Sequence, residues 1–408
     1  MADSNTANRK SAPNTSLLLT TTVTGHGIKH FYAAAFPVLF PSIKADLNLT
    51  NAQLGNMTTL RLLVGGLFNL PAGFLADKFG GGRRHILAFS IALTALSCML
   101  LGIAQSYPLI VVFASLMSAA ITFWHPSAIA WLSEGFSTRK GMAIGIHGTG
   151  GSVGEALGPL VTGLLLKSFS WRPLLSLSVI PGIIVAIMIW ICLGKVGQFT
   201  ATTITLGTYI KGTGNLLKNR RLLIVLAVAA CYGGAQATVM TFLPIYIEED
   251  LGLSSTSVGV YISAMQISGI ISQPILGYLS DLWGRRSILP PSLAILSLSL
   301  IVMGWTTSGV PFTFFLILGG AFLFPLMAII LAAAVDVVSQ EVQATTVSLV
   351  FGSAVIVSSF IPAVAGIVAD NLDVRFTFLL AGGIVLFACV ISIVTRWNLE
   401  VNPAKENH

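Results

Sequence analysis

Charge is what this sequence has least of. Only 9% of its 408 residues are Asp, Glu, Lys or Arg, against roughly 25% in soluble domains. Apolar residues make up 54% and the mean hydropathy is +0.86, so lipid rather than water surrounds most of the chain. Cysteine is equally scarce. Cys98, Cys192, Cys231 and Cys389 lie scattered in apolar runs without CxxC spacing, which excludes a disulfide framework and a zinc ribbon; they read as small packing residues. Residues 1–16 are polar, with no apolar h-region and no small-residue cleavage site, so they read as a cytoplasmic tail and not a signal peptide. No nucleophile–base–orienter set and no cofactor fingerprint is present. The run Gly148-Thr149-Gly150-Gly151-Ser152-Val153-Gly154 lacks the strand and the Lys-Ser or Lys-Thr that a phosphate loop needs, and marks a tightly packed helix interface instead. The expectation is a protein that is not an enzyme and binds no cofactor.

What the chain does have is apolar runs. Twelve of them are about 20 residues long, enough to cross a bilayer as helices: 18–42, 52–75, 86–104, 108–133, 141–166, 173–193, 222–247, 256–279, 288–306, 311–335, 343–369 and 375–396. The net charge of +7 is a topology signal and not a nucleic-acid patch. In a twelve-span chain sixteen of the Lys and Arg residues fall on one side, and only Lys44, Lys167, Arg172 and Arg375 on the other. The positive-inside rule then puts both termini in the cytoplasm. Short loops fit a bacterial inner membrane. The expected organisation is a tail (1–16), a six-helix bundle (17–194), a cytoplasmic linker (195–220), a second bundle (221–397) and a tail (398–408), with 204–217 in the linker able to lie as a short amphipathic helix.

The two bundles are copies. Gly277, Leu279, Asp281 and Gly284 each follow Gly73, Leu75, Asp77 and Gly80 by 204 positions; the same offset relates Asp46-Leu47-Asn48-Leu49 to Asp250-Leu251-Gly252-Leu253, and Gly55 to Gly259. Duplication inside an apolar chain is the pattern of secondary transporters, in which two related bundles rock around a central site.

The segments Gly73-x-Leu75-Ala76-Asp77-Lys78-x-Gly80 and Gly277-x-Leu279-Ser280-Asp281-x-x-Gly284-Arg285-Arg286 resemble the loop motif of the major facilitator superfamily. The resemblance spans nearly the whole chain. It implies an all-α membrane fold of twelve transmembrane helices in two pseudo-symmetric six-helix bundles. It also implies that Asp77, Asp281 and the nearby Arg83, Arg84, Arg285 and Arg286 make gating contacts between bundles that hold the outward-facing state; the plainer alternative for the arginines is that they only fix topology. The first copy inserts Gly81-Gly82 before Arg83-Arg84, so either arginine can take the basic position. Gly154-Glu155-Ala156-Leu157-Gly158-Pro159-Leu160-Val161-Thr162-Gly163 is similar to the glycine-proline motif of the superfamily's proton-coupled exporters and implies antiport. Phe123-Trp124-His125-Pro126, with Gly141, Gly150-Gly151, Gly154 and Gly158-Pro159-Leu160, is similar to the fosmidomycin-resistance branch of drug efflux transporters.

An ionisable side chain near the bilayer centre costs at least about 2.5–3.5 kcal/mol on insertion scales, which makes each one a functional candidate. Here they are His26, Lys29, His30, Arg61, His125, His147 and Glu155, all in the first half; the second half contributes the neutral Gln236, Gln266 and Gln273. His26 and His30 are one helical turn apart with Lys29 between them, so the three share a face. Arg61 lies about 15 Å from the expected outer end of its helix. Glu155 cannot neutralise both Arg61 and Lys29. The cavity is therefore expected to be positive and to take an anion, with Arg61 as a bidentate clamp and His30, His26, Lys29, Trp124, His125, Gln236 and Gln266 around the substrate. The alternative is that Arg61 pairs with Glu155 or with helix-end carbonyls and only holds helices together. Glu155 and His147 are the expected proton carriers, although each, like His125, could instead be a satisfied packing group. Imidazoles at 26, 30, 125 and 147 could ligate a metal, but no acidic or Cys cluster completes the set and Lys29 repels a cation, so no metal site is expected. Glu248-Glu249-Asp250 reads as a solvated charge run.

These residues point to a secondary transporter working by alternating access, expected to export a small anionic or amphipathic compound by proton antiport. A proton- or ion-coupled importer of an organic anion is the alternative; a metal or metal-chelate carrier and a non-transporting membrane sensor are weaker ones. Expected partners are a small-molecule substrate and the lipid bilayer, with no nucleic acid, and the chain is expected to be a monomer.

Overall fold

A computed structural model describes residues 14–79, 82–196, 218–337, 350, 352 and 355–394. The tail at 1–13, most of the linker with its expected amphipathic segment, and the C-terminal tail lie outside the described residues. Within them every regular element is a helix. The first bundle contains α1 (Thr15–Val38), α2 (Phe40–Leu47), α3 (Asn51–Lys78), α4 (Arg83–Ile103), α5 (Tyr107–Thr122), α6 (Trp124–Gly135), α7 (Lys140–Leu165), α8 (Trp171–Leu177) and α9 (Val179–Gly194). The second contains α10 (Arg220–Ile245), a π-helical turn (Tyr246–Asp250), α11 (Ser255–Trp283), α12 (Arg285–Met303), α13 (Val310–Leu323), α14 (Leu326–Asp336), α15 (Ile361–Asn371) and α16 (Arg375–Val394).

Several of the twelve spans are built from two consecutive helical pieces. The fourth breaks at Phe123 between α5 and α6, just before Trp124-His125-Pro126, and the tenth breaks at Phe324-Pro325 between α13 and α14. Proline removes a backbone donor and leaves a carbonyl without its intrahelical partner. In lipid such a group must be satisfied by protein. Ser272 on α11 donates its hydroxyl to the Ala321 carbonyl, four residues before Pro325, at 2.6 Å, while Tyr232 on α10 and Tyr32 on α1 serve the Leu323 and Ser178 carbonyls at the helix breaks.

The internal repeat has a backbone cause. Asn48 (φ 50°) and Gly252 (φ 63°) occupy the same left-handed position 204 residues apart, a conformation open to Asn and Gly at little cost. Two residues later each copy starts its long helix with a hydroxyl cap. Thr50 accepts from Gln53 N–H at 3.1 Å while Gln53 accepts from Thr50 N–H, a capping box that opens α3; Ser254 accepts from Ser257 N–H and opens α11.

Among the described residues, eight of the spans are long and apolar enough to cross a membrane on length and composition. Helices α1, α7 and α11 are as long but less apolar, and they pack on one another through the middle of the molecule. The glycine run explains the contact. A Cβ on Gly150, Gly154 or Gly158 would collide with the carbonyl oxygens of Val23, Gly27 and Phe31 in turn; all six positions advance by one helical turn, so α7 lies backbone-close along α1.

The bundles meet at the expected outer end. Asp370 on α15 accepts from the N–H groups of Asn51 and Ala52 at 2.8 Å each, capping α3 of the other bundle. Lys44 pairs with Glu249 at 2.6 Å, and Glu248 accepts from Ser255 at 3.0 Å. The acidic run is thus not merely solvated: two of its members hold neighbouring segments. Deeper in, Thr256 and Ser263 of α11 donate to the Gly163 and Ala156 carbonyls of α7, and Thr241 of α10 meets Thr58 of α3 at 3.2 Å. At the opposite end the charges pair inside their own bundles. Arg83, 2% exposed, binds Glu134 at 2.5 Å, and Arg285 binds Asp281 and Asp336.

Candidate functional site

Helix α1 brings His26, Lys29 and His30 to one face, as their spacing requires, and α7 lies against that face because its glycines let it. His30 Nδ1 meets Glu155 Oε1 at 2.7 Å. Lys29 Nζ lies 3.3 Å from His30 Nε2 and 2.5 Å from Nε2 of His125 on α6. Glu155, His30, Lys29 and His125 therefore form one unbroken chain of polar contacts. Beside it, His26 and His147 stack face to face with centroids 4.0 Å apart, and His26 Nδ1 donates to the His147 carbonyl at 2.8 Å. Trp124 is fully buried against Gly25, with its ring nearly parallel to that of His147. Four of the six histidines in the chain thus converge.

The cluster forms one wall of a cavity between the bundles, about 290 Å³ in volume. His30, Arg61 and Glu155 reach it from the first bundle, Gln236 and Gln266 from the second, and Pro37, Met240, Phe324 and Met327 supply apolar surface. His26, Lys29, His125, Trp124 and His147 are not among its lining residues: they form the layer behind it. Gln273 is exposed, away from this cavity.

Arg61 is the uncompensated group. Its Nε is buried with no hydrogen-bond partner, and the guanidinium lies over the Phe36 ring, 5.7 Å from the centroid. Among the described residues no carboxylate comes within ion-pair distance of it. Glu155, the partner weighed from the sequence, is bound to His30 instead. Gln266, 2% exposed, likewise has an unpartnered Nε2.

Nitrogens of His26, His125 and His147 lie within 4.8 Å of one another, but the arrangement does not suit a divalent ion. Imidazole lone pairs lie in the ring plane, and the stacked rings of His26 and His147 hold theirs parallel, 8° between planes, so they do not converge. The Lys29 ammonium already occupies His125 Nε2.

Of the residues expected to gate by contacts between bundles, Arg83, Arg285 and Asp281 instead pair within their own bundles, as described above. Arg84 lies over Trp190, 5.3 Å from the ring centroid, and donates to His85. Arg286 is exposed. Asp77 lies near the end of α3, and its side chain is outside the described residues. Sequence reasoning missed Asp370, Lys44 and Glu249 as contacts across the molecule; the segments around Lys44 and Glu249 lie within the duplicated region, but nothing in the pattern paired them.

The Major Facilitator Superfamily model matches residues 23–246 and 224–408. A putative metabolite transport protein of Haemophilus influenzae is 25% identical over 362 residues, covering 84% of this chain and 86% of its own. A probable nitrate/nitrite transporter of Mycobacterium tuberculosis is 26% identical over 262 residues, 63% of this chain and 64% of its own, so less than two thirds of that relative is spanned. A bacterial homologue of the human lysosomal transporter Spinster, solved in an inward-facing unoccupied conformation, superposes with a TM-score of 0.82 at 15% identity over 94% of this chain and 97% of its own; that likeness concerns the fold. Duplicated six-helix bundles around a central cavity, the paired loop motifs and the two family matches lead to one assignment: the chain is a membrane transporter and belongs to the Major Facilitator Superfamily.

Proposed function

We propose that this transporter works by alternating access and exports a small anionic or amphipathic organic compound in exchange for protons. The observation that carries the anion reading is Arg61: a guanidinium unpaired among the described residues beside a cavity between the bundles, where the single acidic residue of the described lining, Glu155, is tied to His30. A fixed cation near mid-bilayer needs an anionic partner, and the substrate supplies it. The relative named for nitrate carries an anion too. The proton part rests on the chain Glu155–His30–Lys29–His125, whose members touch the cavity at one end and the protein interior at the other. A proton taken up at Glu155 removes the carboxylate charge that accepts from His30 and so changes the charge facing the substrate.

Export is supported by the glycine-proline segment around Glu155 and by the likeness of Trp124-His125-Pro126 and its neighbours to the fosmidomycin-resistance branch. In this reading the chain acts as a monomer in a bacterial inner membrane with both termini in the cytoplasm, and the end sealed by Asp370 and Lys44–Glu249 faces outward. Two measurements test it. A thermal-shift screen of the purified protein against organic anions, phosphonates and cationic drugs should show stabilisation by anions that Arg61→Gln removes; stabilisation by cations alone defeats the anion reading. In proteoliposomes, substrate moving one way should drive protons the other, whereas co-movement in the same direction identifies an importer.

A further inference from the structure

We infer that the transported anion carries a second, uncharged hydrogen-bond acceptor, and that Gln266 receives it while Arg61 holds the charge. The inference rests on the anion reading above and goes beyond it to the shape of the substrate.

Two buried donors border the same cavity without a partner: Arg61 Nε on α3 and Gln266 Nε2 on α11. Buried side-chain N–H groups are nearly always satisfied, and each exception calls for an explanation. An unmet donor costs about 1–3 kcal/mol when water is displaced without a replacement acceptor. A substrate that fills the cavity while satisfying only Arg61 would leave the Gln266 amide stranded in a dry site. A ligand with acceptors at both ends meets both donors, and its middle lies against Phe324, Met240 and Met327. The second acceptor is neutral for two reasons. Its receptor is an amide and not a cation, and Glu155 stands in the same wall, where a second carboxylate would meet a like charge. Because α3 and α11 belong to different bundles, such a molecule also bridges the two halves, which a single-ended anion does not.

The test is isothermal titration of the purified full-length protein with matched probes: 4-acetylbenzoate and 3-acetylbenzoate, each against its isopropyl counterpart, which keeps the shape and charge but lacks the acceptor. At least one acetyl compound should bind about tenfold tighter than its isopropyl partner, one hydrogen bond to a buried donor. Gln266→Leu should erase that difference, and Gln266→Glu should weaken all four; a thermal melt of each variant checks that it is folded. Arg61→Gln should weaken all four while leaving the acetyl preference. Equal binding of both pairs to the wild type, or an acetyl preference that survives Gln266→Leu, overturns the inference. Benzoates that bind Arg61→Gln as well as wild type instead overturn the anion reading on which it rests.

Discussion

Lys29 is 2% exposed and touches only imidazole nitrogens, with no carboxylate in direct contact. Such a charge is held at a cost, and proteins often become more stable when a buried ionic group is replaced by an apolar one of similar size. Lys29→Met is therefore expected to raise the melting temperature in detergent while abolishing proton-driven transport; a lowered melting temperature would show that Lys29 is structural. Glu155→Gln should separate two activities: proton-driven flux falls away while exchange of labelled for unlabelled substrate continues, as measured in proteoliposomes with and without a pH gradient. Arg61→Lys keeps the charge but loses the planar fork, and binding should weaken about tenfold in titration calorimetry. At this scale the sequence was informative about which residues matter, because ionisable groups in apolar runs are conspicuous. It was silent on how they pair. The choice of Glu155 for His30 over Arg61 depends on how α3 is set against α7, which no local pattern encodes.

Helices α1 and α7 are held by backbone proximity and not by large side chains. Gly154 faces the Gly27 carbonyl with no room for a Cβ, whereas Gly145 on the same helix has nothing within 4 Å. Gly154→Ala should destabilise by about 1–3 kcal/mol through overpacking. Gly145→Ala should be neutral or stabilising, since Ala favours helix by up to about 1 kcal/mol. Comparing the two melting curves checks the interface directly. The glycine run was readable as a contact surface from composition, and α1 as its partner was not. Conversely, the break at Phe123 follows from Pro126 just beyond it, while the division of the tenth span at Pro325 lay inside one uninterrupted apolar run.

For the whole molecule, the proposed alternation between two openings would depend on what closes each end. Asp370 spans the bundles and caps α3 with two hydrogen bonds, an anion at a helix N-terminus. Asp370→Ala should shift the population toward the state open at that end. Spin labels at Ala45 and Ser254, both exposed there, should report a longer distance; unchanged distances would mean the latch contributes nothing. Lys44→Gln should have a smaller effect, because half-exposed ion pairs contribute only about 0–1 kcal/mol. The two-bundle plan was legible from the 204-residue offset, since turn residues and helix caps recur where the backbone needs them. The acidic run is largely solvated as expected, with Glu249 and Asp250 exposed, but its contact with Lys44 was not legible because Lys44 and Glu249 are 205 positions apart.

That closure has a bioenergetic side. Below the rim the described part of the seam includes Gly55 on the Pro362 carbonyl, Gly259 on the Pro159 carbonyl, and serine and threonine hydroxyls bonded to backbone or to each other. None of these groups takes up or releases a proton near neutral pH. An incoming proton meets no titratable side chain among these groups, so proteoliposomes without substrate are expected to hold an imposed pH gradient, and its dye-measured decay checks this.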